Sequence, residues 1–387
     1  MMRRTCVVAV LAALLLAGQA CLAQQAAEQT VIGPYVQQVT QNSARICWAT
    51  ASGALTLAAP NQPPRDLRSY AHHEILLDNL LPGTTYAYNL PGFPDAKGTV
   101  TTLPAADEPF TFAIIGDTRS GHEQHQKLVN MMIAQKPVLV VNTGDIVRDG
   151  YHMEDWEMFF KINRELMRST PYYPVLGNHE RDAPAYYEFF SLPGHERYYS
   201  LDRGGVHMAF LDPIGPRLRD VDTSREPARS EQARLSEQFR QEQLAWLKAD
   251  LAAHQDAAFR LVIMHVGPWT LKQSRLEGAA MVRQWLGSTL DDNHVQAVIY
   301  GHDHYYGRLE NKGIMYVTCG GGGAGLYDPD AQLTEVDKVF TRNKVYSYMV
   351  ARVEKGAIKF TAFDVDGKEI DAFALSASPA TPAGAKP

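Results

Sequence analysis

An α/β domain preceded by a smaller all-β domain is the fold class this 387-residue sequence predicts, and three observations lead there. Between Val31 and Leu103, short alternating runs are divided by turn residues, with no apolar period of helix length. After Phe110, apolar runs of strand length alternate with stretches of helix length, the pattern of a layered α/β domain. The length itself is about two or three times that of a typical single domain. Hydrophobic residues make up 45% and charged residues 21%, which excludes a chain disordered throughout. A formal net charge of −6 excludes a protein that works by coating nucleic acid, since that needs a basic excess.

The first 23 residues read as an export signal. Arg3 and Arg4 form a basic start, Val7 to Ala17 is apolar, and small residues lead to a cut after Ala23. The apolar run is too short for a stable membrane span. An uncleaved anchor is the alternative; a lipid-modified Cys21 fits poorly with Gly18 and Gln19 before it. The expected location is periplasmic or extracellular. Cys47 and Cys319 then remain, one in each expected domain, so two buried thiols are expected rather than a bridge.

Residues 24–103 are expected to form a fibronectin type III-like β-sandwich, with Ser43 to Trp48 and Thr84 to Tyr88 as alternating strands and Pro82-Gly83 as a turn. Pro104 to Pro109 reads as a linker. Residues 110–375 form the second domain, with strands expected at Phe110–Ile115, Val138–Asn142, Tyr173–Leu176, Val206–Leu211, Phe259–Met264, Val295–Tyr300 and Ile314–Thr318. Helices are expected at His122–Gln135, Glu154–Met167 and Glu237–Ala253. Pro213 to Arg240, charged with both signs, reads as a solvated loop or helix lead-in rather than a lid. From Tyr346 to Leu375 alternation returns around an Asp366-Gly367 hairpin turn. Residues 376–387, rich in Ala and Pro, read as a disordered tail.

Five short polar motifs fall at or just after the ends of these strands: Gly116-Asp117-Thr118-Arg119, Gly144-Asp145, Gly177-Asn178-His179-Glu180, His265 after Val262-Ile263-Met264, and Gly301-His302-Asp303-His304. Strand ends are where ligands collect in α/β sheets, so five distant clusters can converge on one point. Asp117, Asp145, Asn178, His265, His302 and His304 together offer the donors of a pair of metal ions. Carboxylate and imidazole suit zinc, iron or manganese. Two divalent ions against two aspartates leave positive charge that would draw a phosphate and activate water. Singly, each motif is a turn or a core histidine; the set of five is specific.

The set resembles the calcineurin-like metallophosphoesterase superfamily, and with the leading β-domain it is most similar to the purple acid phosphatase branch. The likeness extends to Gly33-Pro34-Tyr35-Val36, Ser43 to Trp48, Gln243 to Leu247 and the Gly320–Gly323 run. It implies a layered β-sandwich flanked by helices, with two divalent or trivalent metal ions (Fe, Zn or Mn). Asp145 would bridge them, Asp117 and His304 would hold the first, and Asn178, His265 and His302 the second. His179 would touch the phosphate or protonate the leaving group. The implied activity is acid phosphatase-like hydrolysis of small phosphate monoesters by a metal-bound hydroxide. The alternatives are a phosphodiesterase of the same superfamily, acting on cyclic nucleotides or lipid head groups, and a non-catalytic extracellular binding protein. The last expects damaged ligands, and here all are intact.

Four positions depart from that pattern. Arg148 stands where purple enzymes carry a metal-binding Tyr, so the tyrosinate colour is expected to be absent. Arg119 stands where other branches supply a His, leaving the first metal three protein ligands unless His122 or His125 reaches it. Ser274 and Arg275 replace paired histidines of plant enzymes. Arg119 and Arg148 each offer a guanidinium fork for phosphate; the plainer role is an ion pair with Asp149 or Glu154, or simple exposure. Tyr305 and Tyr306 are candidates for a substrate rim, with core packing as the default.

Overall fold

The computed structural model describes residues 31–57, 65–104, 108–217 and 224–378. The export signal expected over residues 1–23 lies outside these. In the N-terminal part, β1 (Val31–Gln37), β2 (Ala44–Leu57) and β3 (Arg65–Leu77) form an antiparallel sheet in that order. A second pair, β4 (Thr85–Asn89) and β5 (Lys97–Thr101), closes against it over Val36, Ala44, Ile46 and Val100.

This part is fastened to the rest by polar anchors from its apolar strands. Tyr35 Oη donates to the Phe189 carbonyl at 2.6 Å and Gln37 Nε2 to the Tyr172 carbonyl at 3.1 Å. Both are buried, so each bond must be made by protein.

The larger part runs β6 (Phe110–Ile115), α1 (His122–Ala134), β7 (Val140–Asn142), α2 (Met153–Met167), β8 (Tyr172–Pro174), α3 (Pro184–Phe189), β9 (Tyr199–Arg203), β10 (Val206–Leu211), α4 (Ala228–Ala253) and β11 (Phe259–Met264). It continues through α5 (Leu276–Leu286), α6 (Thr289–Asp292), β12 (Ala297–Tyr300), β13 (Tyr306–Asn311), β14 (Ile314–Cys319), β15 (Lys338–Asn343), β16 (Ser347–Glu354), β17 (Ala357–Asp364) and β18 (Glu369–Ser376). Two sheets result, β18-β17-β16-β6-β7-β8 and β15-β13-β14-β12-β11-β10-β9.

The two sheets share one core, and strand alternation decides which residues enter it. On β11, Phe259, Leu261 and Ile263 face that core, while Val262 and Met264 face outward onto Leu247 and Leu251 of α4 and Val282 and Leu286 of α5. Helices α1 and α2 cover the six-stranded sheet with Leu128, Val129, Met132, Trp156 and Phe159. A side chain buried in this way contributes about 1.5–3 kcal/mol. Strands buried on both faces read as continuous apolar runs, which is why Phe110–Ile115, Val206–Leu211 and Phe259–Met264 are legible to the residue. Cys47 and Cys319 are buried free thiols.

Two expectations change. The charged segment ending at Arg240 is not a loop lead-in from residue 228 onward, because α4 already runs through it. Arg234 pairs with Glu231 and Arg240 with Glu237, so charges of both signs at helical spacing hold a solvated helix. The tail is ordered for three residues beyond Leu375. Ser376 ends β18, Ala377 N–H donates to the Gly356 carbonyl, and Ser378 N–H donates to the Ala258 carbonyl. Residues 379–387 lie outside the described residues.

Candidate metal centre

The parallel strands β6, β7 and β8 of one sheet and β11 and β12 of the other end at the same place. The loops leaving them carry Asp117, Asp145, Asn178, His265, His302 and His304. Three of these sit in the left-handed backbone region, with φ of 57° at Asp117, 54° at Asp145 and 67° at His302. Non-glycine residues are held there only when the surroundings over-determine them. Gly144, at φ 92°, makes the turn that presents Asp145, and a Cβ on it would lie 2.7 Å from His265 Nδ1. The strand end must therefore be bare for the imidazole to pass.

Asp145 lies at the middle. Its Oδ1 is 3.3 Å from His265 Nε2 and accepts the His179 N–H at 3.0 Å. Its Oδ2 is 3.5 Å from Arg119 Nε and 3.8 Å from His179 Nε2. His265 donates Nδ1–H to the Thr143 carbonyl at 2.7 Å, which leaves Nε2 as a bare lone pair. That nitrogen faces Asn178 Oδ1 at 3.2 Å, His302 Nδ1 at 3.3 Å and Asp145 Oδ1 at 3.3 Å.

A second convergence lies at His304. Its Nδ1–H is donated to the Gly325 carbonyl at 2.6 Å, and its bare Nε2 stands 3.3 Å from Asp117 Oδ1. Asp117 Oδ2 accepts the His302 N–H at 2.9 Å, but Oδ1 is buried without a hydrogen-bond partner. Burial pushes the Asp117 carboxyl well above its ordinary value and holds His302 far below, with His265 beside it. His304 is lowered to about 4, again chiefly by burial. Neutral imidazoles are the form that binds metal.

Buried carboxylate, amide and imidazole groups gathered this closely offer the donor set of bound cations. The ligand atoms of Asp117, Asp145 and His265 lie within 4.8 Å of one another. All six sequence-predicted ligands are thus brought to one place.

Arg119 joins them. Its Nε is buried without a hydrogen-bond partner and faces Asp145. His179 donates Nδ1–H to the Arg148 carbonyl at 2.7 Å, so its partly exposed Nε2 is free toward Asp145. Arg148 itself is 65% exposed, the plainer of its expected states, with Nε 3.6 Å from Asp155. His125 does not join the cluster: it is buried on α1 against Asn163 and Phe159. His122 is exposed on the first turn of that helix. Tyr305 and Tyr306 are fully buried, bonded to Asp303 and Asp371, and form no rim.

Three contributors have roles the sequence did not assign: Glu180, open there between orienting His179 and capping a turn, Arg275, and Tyr327. Glu180 is buried beneath Asp145 and accepts N–H groups from Asp145, Ile146, Val147 and Gly177. Tyr327 stacks on His304 at 4.1 Å, and Arg275 lies over Tyr327 while donating to Asp303 Oδ1 at 3.0 Å. Glu180 was visible only as a neighbour of His179, and nothing near Tyr327 marks it.

The profile of the family described as calcineurin-like phosphoesterase matches residues 110–306. Purple acid phosphatase 23 of Arabidopsis thaliana is 25% identical over 329 residues, covering 70% of this chain and 67% of that protein. Probable purple acid phosphatase 20 of the same plant is 22% identical over 284 residues, covering 66% and 61%. This chain thus spans about two thirds of the length of these relatives. Among solved structures, a purple acid phosphatase from yellow lupin (Lupinus luteus) seeds superposes with a TM-score of 0.68 at 16% identity, over 90% of this chain and 74% of that one. That likeness speaks for the fold, and the profile match spans half of the sequence. The chain belongs to the calcineurin-like phosphoesterase family of phosphoric-ester hydrolases, on its purple acid phosphatase-like side.

Proposed function

We propose that this chain hydrolyses small phosphate monoesters at a dinuclear metal centre. In this reading Asp145 is shared between two ions of the iron, zinc or manganese class, Asp117 and His304 complete one position, and Asn178, His265 and His302 the other. The observation that carries it is the convergence of buried metal-donor groups, above all His265 Nε2 beside Asn178 Oδ1, His302 Nδ1 and Asp145 Oδ1. When bound, such ions supply Lewis acidity and make coordinated water a nucleophile near neutral pH.

The chain's own groups do the remaining work. Arg119, anchored on Asp145, offers its guanidinium to the phosphoryl oxygens as negative charge develops on them. His179 holds a proton at Nε2 and gives it to the departing alkoxide, while the Arg148 carbonyl fixes its ring by the Nδ1–H. Arg148 cannot act as a tyrosinate, so an iron-loaded protein lacks that colour. The basic, apolar start of the sequence supports export.

Hydrolysis of p-nitrophenyl phosphate against bis(p-nitrophenyl) phosphate tests the substrate class. Faster turnover of the monoester, lost at least about a hundredfold in Asp145→Asn, is the expected result. Preference for the diester overturns the monoesterase assignment, and no turnover of either with added manganese, zinc or iron overturns the reading.

A further inference from the structure

A second cluster of imidazoles and carboxylates lies near the N-terminal end of β10, opposite the strand ends that carry the candidate centre. His207 is fully buried, with Nε2 2.8 Å from Asp250 Oδ2 and Nδ1 2.9 Å from Asp202 Oδ1. His254, at the end of α4, donates Nδ1–H to the Asp250 carbonyl at 2.7 Å and turns Nε2 toward Asp202 Oδ2 at 3.4 Å. Asp250 is itself held by the Ser200 hydroxyl at 2.8 Å.

One residue therefore fixes the outer nitrogen of both rings, using its carboxylate for one and its backbone carbonyl for the other. Those are the two partners that orient histidines in metal sites. With the outer nitrogens held there, both inner nitrogens face the oxygens of Asp202. A proton on His207 alone bonds that ring to Asp202 at 2.9 Å but leaves His254 Nε2 a lone pair turned toward Asp202 Oδ2 at 3.4 Å. A proton on each ring would stack two imidazolium cations with centroids 3.9 Å apart. One divalent ion satisfies both nitrogens and the carboxylate together.

We propose that Asp202, His207 and His254 bind one divalent transition-metal ion of the zinc class, which clamps the end of α4 to the β9–β10 hairpin. Their ligand atoms lie within 4.8 Å of one another. Two imidazoles and a carboxylate suit zinc, cobalt or nickel better than calcium or magnesium. The rings are 14° from parallel, so the more exposed His254 tilts on binding while His207 stays fixed. Asp202, which is 60% exposed, and His254 also line a cavity of about 960 Å³, which leaves the remaining coordination positions open to water.

This inference does not rest on the phosphoesterase reading. The test is calorimetric titration of the metal-stripped full chain with Zn²⁺ alone, in wild type and in Asp145→Asn. Asp202→Asn and His254→Gln, both at exposed or partly exposed positions, are each introduced into the two backgrounds. In both, each change should remove one equivalent of Zn²⁺ or weaken it at least about tenfold, with ester hydrolysis by the otherwise wild-type chain unchanged. Equal Zn²⁺ uptake by Asp145→Asn and by Asp145→Asn/Asp202→Asn, or by Asp145→Asn and Asp145→Asn/His254→Gln, overturns the site and leaves protons as the bridging charge.

Discussion

Glu180 carries the loop of Asp145: its Oε2 accepts the Asp145 N–H at 3.0 Å and its Oε1 accepts Ile146 N–H at 2.7 Å and Val147 N–H at 3.2 Å. Gly177 N–H adds a fourth bond at 2.6 Å, so one buried carboxylate ties the loop after β7 to the loop after β8. Those loops carry Asp145 and Asn178, and this side chain fixes their separation together with the His179 bonds to Asp145 and to the Arg148 carbonyl. A carboxylate accepts at both oxygens, whereas an amide turns one end into a donor.

Glu180→Gln therefore leaves buried N–H groups facing an NH₂. A loss of about 2–3 kcal/mol is expected, as for buried donors left unsatisfied. Affinity for added manganese or zinc should fall by roughly 10- to 100-fold, the usual cost of disturbing the support of a ligand. Urea unfolding and metal titration measure the two separately. Unchanged values in both would mean the loops hold their spacing without Glu180.

For His179 the prediction concerns the leaving group. In the proposed reaction its Nε2, beside Asp145, gives the departing alkoxide its proton. p-Nitrophenolate leaves without much help, while an alkoxide does not. His179→Asn should cost about a hundredfold on an alkyl phosphate and far less on p-nitrophenyl phosphate. The readout is the slope of log kcat against leaving-group pKa, which steepens in the variant. Equal losses across leaving groups would make His179 a binding residue.

The candidate ligands were legible because four of them, Asp117, Asp145, Asn178 and His302, follow a glycine at a strand end, and such patterns survive in one dimension. Asp117, Asp145, Asn178, His265, His302 and His304 could all be placed from strand, turn and donor chemistry, and the structure gathers them. Strands buried on both faces were legible for the same reason, as in Phe259–Met264. What could not be read is pairing across distance. Glu180 looks like any acid until its four N–H partners are in view. Helix α4 begins in a segment too polar to show an apolar stripe, and Tyr327 reaches His304 from a stretch without regular structure.

Arg119 occupies the edge of the candidate centre with its buried Nε unpaired, which is costly unless the ligand completes it. A hydrogen bond from a charged donor is worth about 1.5–3 kcal/mol. Arg119→Ala should therefore lower kcat/KM for p-nitrophenyl phosphate by roughly 10- to 100-fold. Inhibition by inorganic phosphate should weaken in parallel. Lysine cannot reproduce the planar fork, so Arg119→Lys should recover little of the loss. A variant with normal phosphate inhibition would leave Arg119 as a partner of Asp145 alone.

His125 gives the stability of this protein a pH dependence separate from the centre. It is buried on α1, stacked on Phe159, and accepts at Nε2 from Asn163 Nδ2 at 3.3 Å. The neighbouring groups from α2 are uncharged, and the nearest titratable one is His122 on its own helix. Burial, with His122 second, lowers its pKa to about 3, against about 6.5 in an unfolded chain. The unfolded state thus binds the extra proton first. Stability from this residue is intact above pH 6.5 and drains away as pH falls from there toward 3. Between pH 7.5 and pH 5 the loss amounts to about 2 kcal/mol, since each pH unit below 6.5 costs about 1.4 kcal/mol. His125→Gln keeps an uncharged polar side chain that does not titrate. Urea midpoints of the two proteins at pH 7.5 and pH 5 should show the wild type losing more by that amount, and parallel losses would place the pH sensitivity elsewhere.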